Sequence, residues 1–104
     1  MVRVTTQVLE AHVIGEGDWI AATEICRICR IDLEAVHELA ELGLVTPRER
    51  SGEWQLPAAA LVRLRTVSRL MHDLGVNVSG AVLAVELLER IRELERRSGG
   101  GGGH

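Results

Sequence analysis

The stretch TEICRICRIDLEAVHELAELG, Thr23 to Gly43, decides the fold. From Thr23 onward the apolar residues take helical spacing, and the punctuation falls where helices start and stop. Thr23 is placed to cap a short first helix running through Cys29. Arg30 and Ile31 then make a tight turn, and Asp32 is a good N-cap for a second helix. That second helix buries Val36, Leu39 and Ala40, spaced three and four apart, and stops at Gly43, the residue best able to take a left-handed C-cap. Two short helices joined by a tight turn, the second closed by glycine, predict a helix-turn-helix.

Working outward, Pro47 and the polar run Arg48 to Glu53, with Gly52 before Trp54, predict a small loop or two-stranded wing. Pro57 stands where a third helix should begin, because a first-turn residue needs no N–H donor. Its stripe is Ala60, Leu64, Val67, Met71 and Leu74, ended by Gly75. Asn77 is placed to cap a fourth helix with Val78, Val82, Val85 and Leu88 on its apolar side, continuing through Ile91 and Leu94. Upstream, Val2, Val4 and Thr6 alternate with polar neighbours and Gly15 to Asp18 signals a turn, so residues 1–22 are expected to form a strand or short hairpin. Residues 23–97 form the folded domain, and residues 98–104, with five consecutive glycines, have the composition of a flexible linker or tag remnant. The expectation is a mostly α protein: four helices, a small β wing and an N-terminal strand or hairpin.

At 104 residues the chain is a single domain, too small for two packed cores. With 46% apolar and 26% charged residues it has the balance of a folded globule. Its only aromatic residues are Trp19 and Trp54, which argues against a base-stacking platform. The net charge of −3 is the wrong sign for a protein that neutralises phosphates. No apolar run approaches the roughly 20 residues that cross a bilayer, and no signal-peptide pattern opens the chain, so the expected address is cytoplasmic.

Gly43-Leu44-Val45-Thr46-Pro47-Arg48 after the second helix, a wing bearing Trp54 and two further helices resemble the DNA-binding domain of MerR-type regulators. Thr23-Glu24-Ile25-Cys26, Leu42 through Glu49, Trp54, Arg69 through Leu74 and Gly80 are similar, as an ordered set, to the bacterial chaperone modulators of the CbpM type. This resemblance covers about Thr23 to Ile91 and implies a MerR-like winged helix-turn-helix. It also implies an adaptor, not an enzyme, that binds the J-domain of a DnaJ-like co-chaperone and modulates its co-chaperone and DNA-binding activities. The alternative is a MerR-type transcriptional regulator that binds DNA as a dimer.

The charge on the second helix separates these readings. A DNA-reading helix needs hydrogen-bonding side chains beside two walls of phosphate. Here that helix carries Asp32, Glu34, Glu38 and Glu41 and no arginine. Glu34, Glu38 and Glu41 fall at i, i+4 and i+7 with His37 beside them. Each carboxylate about 4 Å from a phosphate is repelled by roughly 1 kcal/mol or more. Nucleic acid is therefore disfavoured. An acidic face is often only solvated surface; the resemblance instead implies that Asp32, Glu34, His37, Glu38 and Glu41 cover the basic J-domain helix that docks on the partner ATPase.

The third helix carries Arg63, Arg65 and Arg69, with Arg65, Arg69 and His72 at i, i+4 and i+7. These pair with acids of the second and fourth helices, cover apolar surface, or serve with Trp54 as secondary contacts. Trp54 either packs on the second or third helix to hold the wing down or is itself an exposed contact. On the fourth helix Ala84, Leu87, Ile91 and Leu94 make a seam that either joins a second copy or packs on the chain's own third helix. Cys26 and Cys29 form a C-x-x-C, but His12, His37 and His72 supply no matching ligand pair for zinc. Thioredoxin-type redox chemistry needs the pair just after a strand at a helix start, whereas here Cys29 closes a short helix. Core thiols, no metal and no cofactor are expected. No phosphate loop, nucleophile elbow or triad spacing appears, so no catalytic residues are assigned.

Overall fold

The computed structural model describes residues 17–102. The element order is β1 (Trp19–Ala21), α1 (Ala22–Cys29), α2 (Leu33–Glu41), β2 (Arg48–Arg50), β3 (Glu53–Pro57), α3 (Ala60–Leu74) and α4 (Val78–Gly102). The architecture is mostly helical with a small sheet, as expected. The strand expected around Val2 to Thr6 lies outside the described residues. Within them, β1 completes a three-stranded antiparallel sheet in the order β1-β3-β2.

Sheet register corrects two helix starts. Ala21 is the last residue of β1 and pairs with Gln55, so its backbone is extended and α1 must begin at the next residue. Ala21 takes the N-cap position without a side-chain hydrogen bond, and Thr23 lies inside the first turn. Pro57 likewise does not open α3: it ends β3 opposite Trp19, and the chain turns through Ala58, whose N–H donates to the Asp18 carbonyl at 2.9 Å, before α3 starts at Ala60. Both local signals yield to strand pairing set by distant residues.

The other caps fall where local chemistry puts them. Asp32 Oδ1 accepts the Ala35 N–H at 2.8 Å. α2 closes through Gly43 at φ 83°, where the Leu44 N–H donates back to the Leu39 carbonyl at 3.0 Å, and Leu44 is buried directly afterwards. Gly75 at φ 70° ends α3. Asn77 Oδ1 accepts the Gly80 N–H at 2.8 Å, and a Cβ at Gly80 would stand only 3.1 Å from that oxygen. Glycine at this position leaves the cap room to form.

Ile25, Val36, Leu39, Leu56, Leu64 and Val67 are fully buried and tie α1, α2, β3 and α3 into one aliphatic core. Each contributes roughly 1.5–3 kcal/mol through removal from water. Val78, Ala81, Val82 and Val85 add the first turns of α4. The stripe expected on α3 holds through Val67 and the partly buried Met71, but Leu74 is 68% exposed, because the core stops short of that last turn. Leu61 and Ser68 take buried places on α3 instead. Val78–Gly102 runs on as helix into the glycine-rich residues.

Candidate partner-binding site

α2 turns Ala35, Val36 and Leu39 inward, so its outer face carries Glu34, His37 and Glu41, all exposed, with Glu38 half-buried on one flank. None of these three glutamates makes an ion pair with a described residue. Asp32, at the start of the same helix, commits one carboxylate oxygen to the cap. The acidic face is therefore uncompensated within the described chain and set on a helix whose frame is rigidly packed.

The wing closes against this helix. Ser51 (φ 57°) and Gly52 (φ 78°) make a two-residue turn with both residues in the left-handed region, the geometry that suits a tight hairpin. That turn sets Glu49 opposite Trp54 in register. Trp54 then stacks on His37, ring centroids 4.0 Å apart and planes inclined by 13°. Of the two expected uses of Trp54, packing on the second helix is the one adopted, and Trp54 is half-buried by it. On the other face of the sheet, Arg48 lies 4.3 Å over the Trp19 ring and donates to Gln55 Oε1 at 2.8 Å, which braces β2 across β3 to β1.

Between α2 and the wing lies a groove of about 330 Å³ with Leu33, His37 and Trp54 as its apolar and aromatic lining and Glu49 and Glu53 along the wing side. Leu33 is 42% exposed although it is a large aliphatic residue. Leu33, Glu49 and Glu53 were not singled out by the sequence. The signals available were the i, i+4 spacing of Leu33 and His37 and the Ser51-Gly52 turn, which places Glu49 beside Trp54. Together the groove and the α2 face offer an apolar slot bordered by carboxylates. That arrangement suits a polypeptide with an apolar anchor flanked by cations.

The remaining candidates lie elsewhere. Arg65, Arg69 and His72 come together, with Arg30, around a different cavity and apart from Trp54. Arg63 pairs with the fourth helix: its Nε and Nη2 donate to Glu89 Oε2 and Oε1 at 2.8 and 2.9 Å, and Nη1 donates to the Leu44 carbonyl at 2.7 Å. Its hydrogen bonds to Glu89 hold the guanidinium more firmly in its charged form. Leu87, Ile91 and Leu94 are left 53%, 49% and 46% exposed, outside the buried core.

Cys29 is buried and Cys26 half-buried. Burial pushes the Cys29 thiol up to about 11, and burial with the nearby Asp32 charge raises Cys26 as well. Both shifts oppose the thiolate that a metal ligand or redox nucleophile requires. Among the described residues no three His, Cys, Asp or Glu side chains gather as a metal site, and no helix is long and apolar enough to cross a membrane.

A family model described as "MerR HTH family regulatory protein" matches residues 20–98. A chaperone modulatory protein CbpM from Coxiella burnetii is 25% identical over 95 residues, covering 90% of each chain. The chaperone modulatory protein CbpM of Escherichia coli is 30% identical over 77 residues, covering 73% of this chain and 76% of its own. No solved structure matches the chain. The helix-turn-helix, the hairpin wing and the two following helices agree with both findings, and the chain belongs to the MerR helix-turn-helix family, in the group of the CbpM-type chaperone modulatory proteins.

Proposed function

We propose that this chain is a cytoplasmic, non-catalytic adaptor that binds the J-domain of a DnaJ-like co-chaperone and modulates its co-chaperone and DNA-binding activities. The observation that carries this reading is the uncompensated acidic face of α2 beside the groove formed with the wing. Glu34, His37, Glu38 and Glu41, with the free oxygen of Asp32, meet a basic helix; Leu33 and Trp54 receive an apolar side chain from it. Long-range attraction speeds encounter, and the groove fixes register. The same carboxylates repel a phosphate backbone, so the winged helix-turn-helix serves protein recognition, and operator binding by α2 is disfavoured. Arg65, Arg69 and His72 are outside this contact. A second copy joins along Leu87, Ile91 and Leu94.

The test is titration of a full-length DnaJ-like co-chaperone with the wild-type chain and with E34R/E41R at low ionic strength. Both positions are exposed, so the fold is retained, and reversal of two charges in a complementary interface should weaken binding about tenfold or more. Equal affinity for the wild type and the double variant removes the proposal.

A further inference from the structure

A cavity of about 290 Å³ lies between the end of α1 and the middle of α3, and among the described residues its polar lining is basic or neutral: Arg30, Arg65, Ser68, Arg69 and His72. Backbone geometry builds it. Arg30 is the C-cap of α1 with φ 61° and ψ 46°, an uncommon conformation for a residue with a side chain, held by its N–H donating to the Cys26 carbonyl at 2.8 Å. This places a guanidinium at the turn between α1 and α2. Arg65 and Arg69 are one helical turn apart on α3, and Ser68 stands between them.

The chemistry is unusual for this chain, which carries 15 acidic residues against 12 basic ones. Arg27, Arg63, Arg90 and Arg97 each meet a glutamate. Arg30 and Arg69 make no ion pair with a described residue, and among the described residues no carboxylate lines the cavity. Ser68 is the one buried polar side chain among the described residues. His72 Nδ1 donates to the Ser68 carbonyl at 2.7 Å and lies 3.2 Å from Ser68 Oγ, which fixes the ring and leaves Nε2 as its other hydrogen-bonding atom.

We propose that this cavity binds a small phosphate monoester, gripped by Arg30, Arg65 and Arg69 with Ser68 and His72 supplying further hydrogen bonds. Forked guanidiniums match the oxygens of a tetrahedral dianion, and the two charges of Arg30 and Arg69, which meet no described carboxylate, equal its own. A single dianion satisfies the site, whereas a polyanion would have to lie along a protein of net negative charge. The inference is independent of the J-domain reading, since none of these residues belongs to the α2 groove. The bound group would join the α1–α2 turn to α3.

The full chain, followed by amide and arginine side-chain NMR, is titrated with inorganic phosphate and then glycerol phosphate, ionic strength being held constant with chloride. Saturable shifts are expected at Arg30, Arg65, Ser68, Arg69 and His72, with a dissociation constant in the millimolar range or below. Arg69→Gln should weaken binding about tenfold. Arg30→Gly should do the same while raising the melting temperature, because glycine adopts the left-handed conformation without strain; this separates loss of the ligand from loss of the fold. Shifts that fail to saturate, or that survive both substitutions, overturn the proposal. Saturation of the same residues by duplex DNA with a steep salt dependence, in preference to the small phosphates, also overturns it and assigns the site to a nucleic-acid backbone.

Discussion

Cys29 shows how one residue's surroundings decide its chemistry. It closes α1 with its side chain in the aliphatic core, and burial moves its thiol from the ordinary value of 9.0 to about 11. At pH 8 that shift lowers the thiolate fraction roughly a hundredfold. Alkylation of Cys29 by iodoacetamide in the native protein, followed by peptide mass spectrometry, is therefore expected to run at least about a hundredfold slower than in urea. Rates within a few-fold of each other would contradict the burial argument. The sign for stability follows from the same shift. Between pH 9 and about 11 the unfolded chain loses this proton before the folded one does, so Cys29 makes stability fall as pH rises through that window. Cys29→Ala should flatten that alkaline loss in urea denaturation curves. The shifted thiol works against the thiolate that metal or redox chemistry at a C-x-x-C would use: spacing is visible in sequence, but burial is not.

Among the elements, Arg63 is the cross-brace. One guanidinium joins α3 to Glu89 on α4 and to the Leu44 carbonyl just after α2. The ion pair is part-exposed, which limits its worth, while the bidentate geometry and the backbone acceptor raise it. Arg63→Ala should cost about 1–2 kcal/mol in chemical denaturation, and Arg63→Lys should recover only part of this, because an ammonium cannot reproduce the fork. A change below a few tenths of a kcal/mol would show that the brace is screened away. What was legible at this scale depended on range. Asp32, Gly43, Gly75 and Asn77 mark helix ends correctly because a cap is a contact among residues three or four apart. Thr23 and Pro57 mislead because their placement is decided by β1 pairing with β3, across more than 30 positions of sequence. The acidic face of α2 was legible from i, i+4, i+7 spacing. The groove was not, since it needs Glu49, Glu53 and Trp54 brought back against Leu33 and His37 by the wing.

For the whole molecule, the decisive contrast lies along α4. Its first turns bury Val78, Ala81, Val82 and Val85, whereas beyond them Leu87, Leu88, Ile91 and Leu94 lie open to solvent. Exposed apolar residues aligned along one side of a helix favour a partner that covers them. The chain's own α3 does not bury these residues, and the ion pairs Arg90–Glu93 and Arg97–Glu93 run alongside them on the polar surface. The seam is thus an apolar stripe with charged margins, the pattern by which two helices pair in water. At tens of micromolar the wild-type chain should sediment as a dimer, and L87E/I91E as a monomer. Because both positions are already about half exposed, the double variant should keep the wild-type helical circular dichroism and, at low protein concentration, nearly the same melting temperature. A wild type that sediments as a monomer at that concentration rules out self-pairing along this stripe. A double variant that loses its helical signal would instead mean that these residues hold the fold of a single chain.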